Sequence, residues 1–221
     1  LNGSAEAEKL LEGLAAGNPG EHRARYWLGK YAEKRDQAGV AEDHFRKAWE
    51  ASQAPEYAEA LGRLLVAKEE WAAALAVLEP AKAGLSPKGR ERYAECLLHV
   101  GRAREASREY AVAMRERPAP ALLERHVESL LESGRAEEAQ AAVSAFKDQS
   151  HPAVKLAMAK VCLRLGEIPK SRLLLEELTK REGGNSEAHF LLGLGYFNEH
   201  AYGKARTRFD MALKYRADYL D

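Results

Sequence analysis

Across its 221 residues the sequence sets 34 lysines and arginines against 34 aspartates and glutamates, so no net charge draws it toward nucleic acid or an anionic membrane surface. Alanine (40), leucine (29) and glutamate (28), together with those basic residues, make up most of the chain, the composition of an almost entirely helical protein. No run approaches the roughly 18 consecutive apolar residues of a membrane span, and the first residues lack the basic, apolar and small-residue order of a secretory signal peptide.

In chain order, residues 4–17 read as one amphipathic helix with Ala7, Leu11 and Leu14 on its packing face, and Asn18-Pro19-Gly20 breaks it. It has the pattern of the second member of a helix pair whose first member is missing, which predicts a chain that starts partway through a longer series. Residues 22–54 read as a complete pair: Leu28-Gly29 in the first helix, then Ala41, Phe45 and Ala48 at twelve, sixteen and nineteen residues after the glycine. Residues 55–86 repeat the scheme with Leu61-Gly62, Trp71, Ala74, Leu78 and Ala81, and residues 87–119 with Ala94, Gly101, Ala106, Tyr110, Ala113 and Pro118.

The next two pairs have drifted. Residues 120–151 keep Gly134 and Ala139, but Val127 replaces the small residue and Phe146 stands where alanine is usual. Residues 152–185 keep Ala159 and Gly166, with Ser171, Leu175 and Leu178 in the second helix and Pro169 in its first turn, where no intrahelical N–H bond is lost. Residues 186–219 restore the pattern in full. Leu192, Gly193 and Tyr196 share one helix face, Tyr202, Ala205, Phe209 and Ala212 share the other, and His200-Ala201 lies at the turn; Tyr215, Tyr219 and Leu220 close the chain without a polar cap.

A small residue in one helix, matched at fixed offsets by small and bulky residues in the next, resembles the tetratricopeptide repeat, a helix–turn–helix unit of about 34 residues. The resemblance covers nearly the whole chain as a lone second helix and six repeats, about thirteen helices. It implies an all-α, right-handed superhelix, a solenoid whose first helices line a concave groove and whose second helices form the outer wall. It also implies a protein-binding scaffold.

Register places groove-facing candidates on each first helix. Tyr26, Trp27, Lys30 and Lys34 make a basic, aromatic entrance, and Glu59, Arg63, Glu91, Glu95, Glu124, Glu128 and Leu131 an acidic middle. Leu156, Lys160, Leu163 and Arg164 follow, and Phe190, Leu194, Phe197 and Asn198 make an apolar far end. Each zone also has a purely structural reading. The Glu and Arg alternation serves as a solvated face of i,i+4 pairs, Tyr26-Trp27 as packing against the lone first helix, and the Phe190/Leu194/Phe197 stripe as the seat of a further helix rather than of an amphipathic ligand helix. Within the resemblance, Tyr26 and Glu59 stand where carboxylate-gripping relatives carry lysine, and Lys30 and Arg63 where they carry asparagine, which argues against a chaperone-tail ligand.

No cofactor or catalytic motif emerges. The seven histidines show no metal-ligand spacing, Gly193-Leu194-Gly195 follows no strand, and Cys96 and Cys162 read as buried small hydrophobes in different repeats. The resemblance, with the alanine- and arginine-rich composition and drifted repeats that look bacterial, implies a non-catalytic adaptor that binds a protein or peptide within a bacterial multiprotein assembly, such as cell-envelope, pilus, secretion, exopolysaccharide, polarity or motility machinery. The alternative is a spacer, or a segment that self-associates through its terminal repeats. The expected compartment is the cytoplasm, or the periplasm if a leader has been removed.

Overall fold

The computed structural model describes residues 2–18 and 21–215, with the backbone alone for residues 2–5. Pro19, Gly20, Tyr219 and Leu220, invoked above, lie outside the described residues. Among those described there are thirteen α-helices and no strand: α1 (Asn2–Gly17), α2 (His22–Lys34), α3 (Ala38–Ala51), α4 (Pro55–Ala67), α5 (Trp71–Leu78), α6 (Pro87–His99), α7 (Ala103–Glu116), α8 (Pro120–Glu132), α9 (Ala136–Ser144), α10 (Pro152–Arg164), α11 (Ile168–Arg181), α12 (Ser186–Asn198) and α13 (Tyr202–Tyr215). They form two compact bodies, Leu1–Glu109 and Tyr110–Asp221, with the boundary inside α7.

Local chemistry fixes where the helices start. Four first helices begin at a proline (Pro55, Pro87, Pro120 and Pro152), a residue whose fixed φ suits the first turn and whose missing N–H costs nothing there. Ser86 and Asn185 accept side-chain cap bonds from the N–H groups of Gly89 (3.1 Å) and Ala188 (2.9 Å).

One turn joins first helix to second in every pair. Asp36, Glu69, Gly101, Gly134, Gly166 and His200 all adopt positive φ, between 57° and 79°. Each stands seven residues after the small residue of its first helix, or after Val127 in the fourth pair. The N–H that follows donates to a carbonyl five residues back, as from Gln37 to Ala32 (3.0 Å) and from Ala201 to Tyr196 (2.9 Å). This is the Schellman geometry, which satisfies a helix-end carbonyl at the expense of one left-handed residue.

Inside each pair the helices meet at a size-matched contact. A Cβ placed on Gly29 would lie 2.6 Å from the Phe45 ring, one on Gly193 2.6 Å from the Phe209 ring, and one on Gly62 2.9 Å from Leu78. All three contacts span sixteen residues. At the same offset the drifted pairs share out the bulk differently: Ala159 and Leu175 lie in one buried cluster, and Val127 and Val143 in another. A valine that would collide with phenylalanine is accommodated by a partner of its own size.

Two expectations are corrected. Leu14 is 57% exposed; the face of α1 that packs on Ala24 and Leu28 of α2 is formed by Leu11 and Ala15. Steps of three and four residues from Leu11 differ by only one position, and contact with α2 selects the four-residue step. Tyr202 is also exposed, at 57%, and the buried face of α13 is carried by Ala205 and Ala212 with Phe209 packed beside them.

The shared turn yields a prediction. Glu69 adopts φ 60° with no Cβ-free backbone to ease it, and a left-handed conformation costs an L-residue about 1–2 kcal/mol, partly offset by the chain entropy glycine loses on folding. Glu69→Gly should stabilise the protein by roughly 0.5–1 kcal/mol and Gly134→Ala destabilise it by a similar amount or more. Urea denaturation midpoints measure both, and a Glu69→Gly variant with a lower midpoint would refute the reading.

Candidate functional site

In the N-terminal body, α2 and α4 frame a cleft of about 740 Å³ lined by Trp27, Lys30, Tyr31, Lys34, Arg63 and Leu64, with Glu33, Asp36 and Ala38 completing it. Tyr26 and Trp27 part company here. The Tyr26 ring turns inward against Phe45 (5.7 Å between centroids) and Tyr57 (5.1 Å), whose hydroxyl meets His22 Nδ1 at 2.8 Å. Trp27, one step further round the helix, stands 54% exposed at the mouth of the cleft. Among the described residues, the apolar cluster that joins α1 to α2 is made by Leu11, Ala15, Ala24 and Leu28, without Tyr26 or Trp27.

The cleft is electrostatically uneven. Lys30 lies over the rings of Tyr26 and Phe45, 5.7 Å from each centroid, and its Nζ pairs with Glu33 at 3.2 Å. Glu33 also holds Arg63, so one carboxylate serves two cations. Burial, and after it repulsion from Arg92, keep the Arg63 guanidinium below its usual pKa. Lys34 adds a third positive charge to the lining and Asp36 a second carboxylate. An added anion would be favoured here. Glu59, another groove candidate, is committed to structure: its carboxylate accepts from the N–H (2.5 Å) and Oγ–H (2.7 Å) of Ser86 at the start of α6. Glu91 and Glu95 stand half-buried on α6.

In the C-terminal body Glu128, Leu131, Glu132, Lys160, Leu163, Arg164, Glu187 and Leu191 line a shallower recess of about 460 Å³. Lys160 is held between Glu187 (2.6 Å) and Glu124 (3.1 Å), carboxylates from the first helices on either side. Burial alone would lower its pKa; the hydrogen bonds and charges of Glu187 and Glu124 outweigh this and raise it. Lys160, a groove-facing candidate, is thus already paired on both sides. Arg164 remains exposed at the rim, and Glu128 pairs with Arg125 at 3.3 Å. Leu156, expected in the groove, is buried in the core, while Leu131, also largely buried, borders the recess.

The apolar candidates lie outside that recess. Phe190, 37% exposed, has its ring 5.8 Å from Phe209; Phe197, 52% exposed, meets Tyr202 edge-on at 5.5 Å; Leu194 is half-buried and Asn198 exposed. Phe190 and Phe197 meet rings of α13, whereas Glu187 and Leu191 supply α12's share of the recess. Among the described residues, no three His, Cys, Asp or Glu side chains gather as metal ligands would, and no helix is long and apolar enough to cross a membrane. Cys96 and Cys162 are both buried free thiols, and burial pushes the Cys96 thiol up to about 12.

The residues overlooked in sequence are mostly partners across repeats. Glu33 is the hub of the first cleft, and its only local sign was the three-residue spacing from Lys30. Glu187 has no local sign, because its partner Lys160 is 27 residues away.

No protein-family model matches the sequence, and neither does any curated protein sequence. Solved structures do match. A tetratricopeptide repeat protein from Parabacteroides merdae superposes with a TM-score of 0.76 at 13% identity over 87% of this chain and 79% of its own. The pilF protein of Pseudomonas aeruginosa gives 0.60 at 18% identity, covering 89% and 92%. In the Cut9–Hcn1 hetero-tetramer of the APC/C, the matching chain gives 0.62 at 12% identity over 96% of this chain and 43% of that one. With the repeated turn and the sixteen-residue contact, these likenesses establish the fold: the chain is an all-α array with the tetratricopeptide repeat fold.

Removing the central cation of the C-terminal recess should expose its role. Lys160→Met leaves Glu124 and Glu187 facing each other in a partly buried site and should cost about 1–3 kcal/mol, most of it recovered when both glutamates become glutamine. Chemical denaturation of the parent, Lys160→Met and Lys160→Met/Glu124→Gln/Glu187→Gln forms the test. A Lys160→Met variant within about 0.5 kcal/mol of the parent would show that the pair contributes nothing.

Proposed function

We propose that the protein is a non-catalytic adaptor that binds an acidic protein segment on its first-helix face, within a bacterial multiprotein assembly. The observation that carries this reading is the cleft beside Trp27. The Trp27 ring meets Tyr26 edge-on at 5.8 Å and still leaves more than half of the residue exposed over a concave surface lined by Lys30, Lys34 and Arg63. An aromatic or aliphatic anchor of the ligand would lie on Trp27 and Leu64, while its carboxylates meet Lys34 and the Lys30–Arg63 pair that shares Glu33. The pilF likeness supports a bacterial setting at the level of fold. The alternative, a spacer or self-associating segment, has no use for such a cleft.

An array of immobilised acidic and basic peptides, with and without an aromatic anchor, tests the proposal on the intact protein. Acidic peptides carrying the anchor should be retained, with binding falling as salt rises. Trp27→Ala should weaken retention by about tenfold or more while the helical circular dichroism signal stays unchanged. Equal retention of basic peptides, or indifference to Trp27→Ala, would overturn it.

A further inference from the structure

Helix α9 stops at Ser144, five residues earlier in its repeat than α3, α7 and α11 stop in theirs. The Gln149 side chain turns back and donates to the carbonyls of Val143 (2.8 Å) and Phe146 (2.5 Å), so the loop that follows closes the shortened helix end. Between this end and the end of α7 lies a hollow of about 720 Å³, with Met114, Pro118, Ala142, Ala145 and Phe146 on its lining. Met114, Ala142 and Phe146 pack against the buried core of the C-terminal body, so the floor of the hollow continues that core. The hollow shares no lining residue with the Trp27 cleft or the Lys160 recess.

Comparison of the repeats shows why a hollow forms here. Counted from the small residue of each first helix, or from Val127 in the fourth pair, Ala142 and Ala145 stand at positions fifteen and eighteen. None of the other five pairs has alanine at either position; the fifth has Leu174 and Glu177, the sixth Arg208 and Met211. Met114, at position twenty of the third pair, stands where the first pair carries the half-buried Trp49. The fourth pair thus lacks side-chain bulk that its equivalents supply, and another repeat holds an indole at the Met114 place. One charge marks the rim. Lys147 is exposed and makes no ion pair among the described residues. The neighbouring Asp148 carboxylate is engaged by the Oγ–H (2.7 Å) and N–H (3.0 Å) of Ser150, which hold it below its usual pKa.

We infer that this hollow docks a partner protein through a large aromatic side chain, with an acidic residue one or two positions further on to pair with Lys147. The ring replaces the bulk that Ala142 and Ala145 leave out, and it meets a thioether and a phenyl ring, groups that favour aromatic edges and faces. The hollow lies inside the array, with α10 to α13 following it, and is not a stacking face left open at an end. A second copy of this chain fits less well. Its nearest match is the exposed Phe197 with Glu199 two residues on, and that carboxylate is already held by Arg172 at 2.6 Å.

The chain has three methionines, so methyl-labelled methionine gives a three-signal NMR spectrum in which Met114 reports on the hollow and Met211, on α13, serves as the control. The probe is an end-blocked peptide of glycine and serine with one tryptophan followed by glutamate, titrated into the full chain. The Met114 signal should move saturably and the Met211 signal should not. Ala142→Leu places in the hollow the residue that the fifth pair carries at that position, and should weaken binding at least about tenfold with the helical circular dichroism retained. Lys147→Glu, at an exposed site, should weaken binding several-fold, and a peptide with lysine in place of the glutamate should restore it. Trp27→Ala should leave the Met114 response unchanged, which separates this inference from the preceding proposal. A Met114 signal that does not move overturns the inference, as does undiminished binding by Ala142→Leu or failure of the lysine peptide to restore binding to Lys147→Glu. Sedimentation showing a dimer that Ala142→Leu breaks would give the hollow to a second copy and overturn it equally.

Discussion

Two helices that cross at a residue without a side chain must carry the missing bulk on the other partner, and much of this molecule follows from that exchange. Gly29 against Phe45 and Gly193 against Phe209 bring the backbones of a pair together until a single methyl group would intrude on the ring. Once that distance is set, the connecting turn has little freedom. The same left-handed residue and the same returning N–H bond appear in all six pairs, whether or not the position holds glycine. Asp36, Glu69 and His200 accept an unfavourable backbone because the packed helices on either side leave no other path.

The same packing decides which side chains remain for function. Residues on the inner faces of each pair are consumed by the core, as the burial of Phe45, Leu78 and Leu175 shows. Residues three before or thirteen after the small position are taken by the neighbouring repeat, through Tyr26 on Tyr57, Glu59 on Ser86, Glu124 on Lys160 and Arg172 on Glu199. Trp27, Lys34, Phe197, Tyr202 and Arg206 stand clear of these uses. Trp27 and Lys34 border a cleft, and Phe197, Tyr202 and Arg206 lie exposed on α12 and α13.

The fold was largely legible in the sequence because its main signals are local and periodic. The offsets of twelve, sixteen and nineteen residues marked the helix pairs, and Gly101, Gly134 and Gly166 marked three of the six turns. The turn at His200 was marked by the reset of the helical period rather than by glycine, whereas those at Asp36 and Glu69 carried no such mark, since non-glycine residues adopt positive φ only rarely. Leu14 and Tyr202 misled because helical periodicity defines an apolar arc wider than the strip a neighbour covers, and only the neighbour's position selects within it. The candidate sites were legible as a list of groove-side positions but not as a division into bound and unbound charge. Glu33–Arg63, Glu42–Lys68 and Lys160–Glu187 join residues 26 to 30 positions apart, beyond the reach of any helical period.

A double-mutant cycle across the first pair tests the size exchange itself. Gly29→Ala and Phe45→Leu should each destabilise the protein, by about 1–3 kcal/mol for the crowded alanine and about 1 kcal/mol or more for the shortened ring. Combined, they reproduce the alanine–leucine pairing already present at Ala159 and Leu175, and the double variant should be more stable than the sum of the two losses allows by at least about 1 kcal/mol. Strict additivity in urea denaturation would mean that the two residues do not share one space, and the account built on that contact would fail.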